Sequence, residues 1–267
     1  MQKTDIPQSD LLQKVLQLEK ENSKLRKQLE QVEKAKIEYL QNVSHQLVAP
    51  LNAMKWHIEN LTEQRISIER ARKVLRSIYS QATIAVHLAK NFRLMSNLEG
   101  DQSLVSLKEP LQEINLQRLL VNLADDFQPL AWEQSIKIVM VDEKFDRSPS
   151  VLAIKPLISQ VFSNIIENAV KYSDGDSIIS LTGKYMQSSN LFAVSIANRG
   201  IPLTKEHQEK LFTRGFRSEE AKSKYPPGTG FGLYIAKKIA EIHKGAIQAE
   251  AIDGQVVFTV TLPAKVS

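Results

Sequence analysis

Asn42-Val43-Ser44-His45-Gln46-Leu47-Val48-Ala49-Pro50-Leu51 lies within a longer run where Leu40, Val43, Leu47, Leu51, Met54, Ile58 and Leu61 recur at helical spacing. That recurrence predicts an amphipathic helix with one buried stripe. At about 100° of turn per residue, His45 falls roughly 200° from Val43 and points away from the stripe. An exposed imidazole on a rigid helix is a reachable nucleophile. Pro50 has no N–H for the Gln46 carbonyl and predicts a kink one turn beyond the histidine.

Upstream, Leu11, Leu18, Leu25 and Val32 alternate with Val15, Asn22, Leu29, Lys36 and Val43 at 3,4 spacing, with charges on the other faces. This predicts a parallel two-stranded coiled coil over residues 1–34, its register set by Asn22 and its seam weakened at Lys36. From Tyr39 to Leu51 the spacing becomes 4, 4, 4, which unwinds a supercoil locally and places the phase break on His45. Downstream, 62–67 reads as a turn. A second helix follows with Ile68, Ala71, Leu75, Ile78, Ala82, Ala85, Ala89 and Phe92 in 3,4 alternation. Residues 35–97 therefore form a helical hairpin expected to dimerise into a four-helix bundle. His57 and His87 lie on these helices without a supporting motif and read as surface or boundary residues.

Residues 98–110, containing Glu99-Gly100-Asp101 and Pro110, form a linker. Beyond it helix and strand alternate through 111–264. A strand is predicted at 113–115, a helix at 116–134, a strand at 136–141 and a helix at 155–172. Strands at 177–184 and 191–197, a helix at 230–243 ended by Gly245 as its left-handed C-terminal residue, and strands at 246–251 and 255–262 complete the series. The fold class is α + α/β: coiled coil and hairpin, then an α/β sandwich with helices on one face of a mixed sheet.

A chain of 267 residues with 42% hydrophobic composition suits two domains with packed cores. With no cysteine, disulfides and thiolate metal sites are excluded, which fits the cytoplasm. No apolar run approaches the roughly 18 residues of a membrane span. The net charge of +5 mixes both signs along the helices with no basic aromatic stripe, which argues against nucleic acid.

Ser44-His45-Gln46-x-x-x-Pro50-Leu51 resembles the phosphoacceptor box of sensor histidine kinases, and the C-terminal half resembles their ATP-binding domain, over residues 35–263 together. Asn164 and Asn168 are four apart on one helix face, followed by Lys171 and Tyr172. The set looks like the family's N box, whose asparagines help hold Mg²⁺ and whose Lys and Tyr contact phosphate and nucleotide. Neutral amide oxygens suit a Mg²⁺ already paired with triphosphate. Asn198, Gly200 and Pro202 resemble the first glycine box, with Asn198 where Asp commonly accepts from the adenine amino group, so weakened nucleotide binding is expected. Phe212 to Arg217 resembles the F box. Gly228, Thr229, Gly230, Gly232 and Leu233 resemble the second glycine box, opening a helix whose N-terminus favours phosphate. Residues 213–229 then read as a lid over ATP.

The resemblance implies a kinase that autophosphorylates His45 with Mg-ATP and passes the phosphoryl group to an aspartate of a separate response regulator. Its partners would be a second copy of the chain and an upstream sensor protein acting through the coiled coil. Gln46 stands where the family has Glu or Asp as the base. An amide orients an imidazole but accepts no proton, so a slower reaction is expected. Ala49 replaces the Thr or Asn that positions water for dephosphorylation, which implies weak or absent phosphatase activity. Val48, Ala49, Asn52 and Trp56 form an apolar patch suited to docking a receiver domain or the ATP domain. Gln46, Ala49 and Asn198 also fit an alternative, a dimeric nucleotide-binding adaptor without catalysis. Asn164, standing where gyrase and mismatch-repair ATPases carry a catalytic Glu, argues against that third class.

Overall fold

A computed structural model describes residues 8–63, 67–99, 109–141, 145 and 150–265. The chain resolves into two compact units, residues 1–45 and 46–267. The hydrophobic pattern produces helix α1 (Gln8–Glu63) and helix α2 (Ile68–Glu99). α1 is helical through Pro50, which is buried.

In the first unit, Val15, Leu18, Leu25 and Leu29 of the expected coiled-coil seam are exposed on the single chain. The side chains of Leu11, Val32, Lys36 and Tyr39 lie outside the described residues, as does most of the expected linker.

In the second unit, β1 (Gln112–Ile114) leads into α3 (Leu116–Trp132), capped by Asn115, whose side chain accepts from the Arg118 N–H at 2.9 Å. Then come β2 (Lys137–Met140), β3 (Ser150–Ala153) and α4 (Lys155–Tyr172), the last with Pro156 in its first turn, where a missing N–H costs nothing. β4 (Ile178–Met186) and β5 (Leu191–Asn198) precede two six-residue helices, α5 (Lys205–Lys210) and α6 (Glu219–Lys224). α7 (Gly232–Ile242), β6 (Ala246–Ile252) and β7 (Gln255–Lys265) close the fold.

The seven strands form one sheet in the order β1-β3-β7-β5-β4-β2, with β6 also paired to β7. Only β2 and β4 run parallel. β6 and β7 are joined through Asp253 and Gly254, both at positive φ (49° and 75°), which suits the twist of a tight hairpin. The core lies between the sheet and α3, α4 and α7. Ile158, Val161, Phe162, Ile165, Ile166 and Val170 of α4 are wholly buried.

Three expectations change. β3, α5 and α6 were not anticipated, because segments of four to six residues hold too little periodicity. The left-handed residue after α7 is Lys244 (φ 56°) rather than Gly245. Gly245 is instead needed for close packing, since a Cβ there would sit 2.2 Å from the Thr261 carbonyl oxygen. His87 is not a surface residue: it is 4% exposed.

Candidate nucleotide site and phosphoacceptor helix

His45 is exposed on α1, as its angular position requires, and Gln46 is half-buried. In the second unit Val48 and Trp56 are exposed. Trp56 makes an edge contact with His57, and His57 Nε2 lies 3.0 Å from Ser77 Oγ on α2.

A cleft open to solvent, about 1030 Å³ with its open mouth included, lies beside α4. Asn164, Asn168, Lys171 and Tyr172 line it from α4, Asn198 from the end of β5, and Arg217, Gly228, Thr229, Gly230, Gly232 and Leu233 from the lid and the start of α7. These segments, remote in sequence, converge for specific reasons. A Cβ on Gly200 would stand 1.9 Å from the Tyr172 carbonyl oxygen, so only glycine lets the end of β5 lie against the end of α4. Gly200 does this without itself lining the cleft. Gly230 has φ 71°, and a Cβ there would meet the Gly215 backbone at 2.6 Å. The loop before α7 therefore presses on the lid, and Gly215 N–H donates to the Gly230 carbonyl at 3.2 Å.

Arg217 is committed to lid backbone. Its guanidinium donates to the carbonyls of Pro226 (2.8 Å), Gly228 (3.1 Å), Ala221 (3.1 Å) and Tyr225. Lys224 ties the same segment to the end of α4 through the Tyr172 carbonyl (3.1 Å) and Asp174 (3.2 Å). Together they hold the lid in a defined shape beside the cleft.

Sequence reasoning missed the polar network beneath the lid. Glu167, 8% exposed at its side chain, pairs with Lys171 Nζ at 2.8 Å and with His87 Nε2 of α2 at 2.9 Å. Lys171 also lies over the Tyr225 ring, 5.0 Å from its centroid. Burial alone would push the Glu167 carboxyl up, but the Lys171 ammonium and then His87 more than reverse it and hold it well below the usual carboxylate range. Burial likewise pulls Lys171 down and Glu167 outweighs it, leaving the ammonium above its ordinary value. Gln160 Nε2 lies 3.1 Å from His87 Nδ1 and donates to Asn91 Oδ1 at 2.9 Å. His87 Nε2 thus faces the Glu167 carboxylate at 2.9 Å and Asn91 Nδ2 at 3.2 Å, an acceptor and a donor at one ring nitrogen. Asn91 Nδ2 in turn donates to Asn164 Oδ1 at 2.8 Å. The missed signal was Gln160 and Glu167, which lie four before and three after Asn164 and so share its helix face.

Among the described residues there is no group of three or more His, Cys, Asp or Glu able to cage a metal. Asn164 is buried, with its Nδ2 unsatisfied by any described residue, and Asn168 lies one turn on along the same cleft. Two neutral amides fit a hard cation that arrives with its own phosphate oxygens, and do not fit a free one. Asn164 and Asn168 would hold Mg²⁺, whose role would be to neutralise phosphate charge.

Residues 154–266 match the family described as histidine kinase-, DNA gyrase B-, and HSP90-like ATPase. A mixed sheet faced by helices, with an amide-bearing helix under a lid, defines this class of nucleotide-binding domain. Over 239 residues the chain is 30% identical to the sensor protein kinase WalK of Staphylococcus aureus, covering 89% of this chain and 56% of WalK. The catalytic domain of the histidine kinase ThkA is 28% identical with a TM-score of 0.50, covering 58% of this chain and 95% of that domain. ThkA solved in complex with the response regulator TrrA is 22% identical, with a TM-score of 0.53, covering 84% of this chain and 60% of that one; it shows likeness of fold. The chain is similar to sensor histidine kinases over most of its length, with a helical region followed by the ATP-binding domain that residues 154–266 match. It spans about half the length of the curated relative it matches. Among the described residues no helix is long and apolar enough to cross a membrane.

Proposed function

We propose that this chain is a histidine protein kinase that phosphorylates its own His45 from Mg-ATP and passes the phosphoryl group to an aspartate of a separate response regulator. One observation carries the reading: every residue expected at the nucleotide except Gly200 lines a single cleft. In the reaction an imidazole nitrogen of His45 attacks the γ-phosphorus, the bond from that phosphorus to the β–γ bridging oxygen breaks, and ADP departs. Asn164 and Asn168 hold the cation, Lys171 meets phosphate, Asn198 accepts from the adenine amino group, and the N–H groups opening α7 face the phosphates. Gln46 orients the imidazole but takes no proton, so the ring proton passes to solvent and the rate is low. Ala49 offers no hydroxyl or amide to position water, so phosphatase activity toward the regulator is weak or absent.

The working unit is a homodimer, with residues 1–34 as coiled coil, 35–97 as dimerisation and phosphoacceptor hairpin, 98–110 as linker and 111–264 as catalytic domain. A partner sensor signals through the coiled coil, and the protein works in the cytoplasm. Apolar residues left exposed on α1 and α2, including Leu18, Leu25, Ile68 and Leu75, support pairing of copies. Incubation of the purified chain with γ-labelled ATP and Mg²⁺, beside His45→Ala, tests the assignment. Acid-labile label that disappears in the variant is expected. Bound nucleotide without label would replace the kinase with the adaptor reading that Gln46 favours.

A further inference from the structure

The strongest unexplained feature of the cleft is that one of its walls belongs to α2. Asn91 lines the cleft, and its Nδ2 donates at 2.8 Å to Asn164 Oδ1, the oxygen through which Asn164 would ligate a cation. Gln160 Nε2 reaches the same oxygen at 3.4 Å and fixes Asn91 by donating to its Oδ1 at 2.9 Å. One turn earlier on α2, His87 is held between Gln160 and Glu167 and packs edge-on against Phe127 of α3. Further along, the Tyr79 hydroxyl donates to Asp126 at 2.9 Å and Arg76 lies over the Trp132 ring. This is a part-buried polar contact between two helices, centred on the Asn164 amide.

We propose that Asn91 is a latch that competes with the divalent cation for Asn164, so that Mg-nucleotide binding and release of α2 from the nucleotide domain are one coupled event. The inference rests on the nucleotide reading of the cleft and adds its regulation. The physical reason is that an amide oxygen already accepting the Asn91 N–H at 2.8 Å offers a cation less, and the positive end of that donor repels the metal's charge. Cation binding must displace Asn91. Asn91 in turn anchors Gln160, whose amide holds His87, so its displacement loosens α2 along the same face. By linkage, whatever pulls α2 away raises Mg-nucleotide affinity by the same factor.

The test measures the dissociation constant of ADP for the full chain by calorimetry, in Mg²⁺ and in EDTA, for wild type and Asn91→Ala. Loss of one net hydrogen bond predicts about 2- to 13-fold tighter binding in Mg²⁺, with no change in EDTA. A merely structural role for Asn91 would move both constants together. Hydrogen exchange of the wild-type chain is the second measurement and needs no variant: Mg-ADP should speed amide exchange across residues 80–95, and ADP in EDTA should not. Equal or weaker Mg-dependent binding in Asn91→Ala, or unchanged or slower exchange in α2 with Mg-ADP, overturns the latch. Failure of wild type to bind ADP in either condition overturns the nucleotide reading as well, and is told apart from failure of the latch alone by that absence of binding.

Discussion

Glu167→Gln is the most informative single change in the nucleotide domain. It keeps the shape of the side chain and its capacity to accept a hydrogen bond, but removes the one negative charge facing both Lys171 and His87. Lys171 is then a largely buried ammonium, 14% exposed at its side chain, facing a neutral amide and the Tyr225 ring in place of a carboxylate. Breaking one half of a buried pair typically costs about 3–5 kcal/mol, much of it the penalty of the charge left behind. The ring face and the residual exposure of Lys171 place this case at the low end, about 3 kcal/mol. Urea unfolding followed by tryptophan fluorescence measures the loss. Glu167→Gln combined with Lys171→Met should recover more than half, because no uncompensated charge remains. The acid limb supplies a second reading. The folded carboxyl titrates below its ordinary value of 4.5, so its stabilisation is complete above about that pH and is lost as acid titrates the folded group. In Glu167→Gln that dependence should flatten. A loss below ~1 kcal/mol, or a double variant no better than the single, would refute the view that this triad is an energetically coupled buried cluster.

Gly200→Ala should destabilise the domain by about 1–3 kcal/mol by overpacking, and weaken nucleotide binding, because the new methyl meets the Tyr172 carbonyl oxygen at 1.9 Å; wild-type stability would disprove the close-approach role. His243 donates from Nδ1 to the Ile239 carbonyl at 2.8 Å and accepts the Ile154 N–H at 3.1 Å on Nε2. Burial, opposed by that carbonyl, sets its proton affinity below the usual 6.5, so the unfolded chain protonates first and stability declines as pH falls through about 6.5. The melting temperature should drop between pH 7.5 and 5.5, and less so in His243→Gln. Gln46→Glu should speed His45 phosphorylation by about 10²-fold, the lower range for a restored general base; an unchanged rate excludes proton removal as the deficit. Ala49→Thr should confer measurable dephosphorylation of the cognate regulator, and none would remove Ala49 as the cause of weak phosphatase activity.

The nucleotide helix was legible from Lys155 to Tyr172 because Pro156 marks its first turn and an apolar run fills its length up to Tyr172. Asn164, Asn168, Lys171 and the glycines were legible as residue types whose chemistry suits phosphate and cation. Their convergence was legible only through order along the chain, since nothing in the sequence measures the 1.9 Å approach at Gly200. His87 was opaque for a different reason. A histidine on an amphipathic helix carries no mark of what faces it, and its partners Gln160 and Glu167 lie 73 or more positions away. β3 was hidden because Ser150-Val151-Leu152-Ala153 is a single alternation, strand only because β1 and β7 flank it.

The same limit explains why α2 was read with one seam when it has two. Ile68, Leu75, Ala82 and Ala89 repeat every seven residues, and so do Ser80, His87 and Leu94. The second set is buried while Ile68 and Leu75 are exposed. A shift of five positions between the sets is about 140° of helix rotation, so one helix offers nearly opposite faces. Periodicity picks out the more apolar stripe, and that is the stripe left exposed on the single chain. The stripe that grips the nucleotide domain is polar where it matters, and hydrogen-bonding requirements give it specificity that apolar packing lacks. A helix built this way can stay seated in a bundle along one face while the other releases or engages the nucleotide domain, since breaking polar contacts that both sides can remake in water costs far less than tearing out an apolar seam.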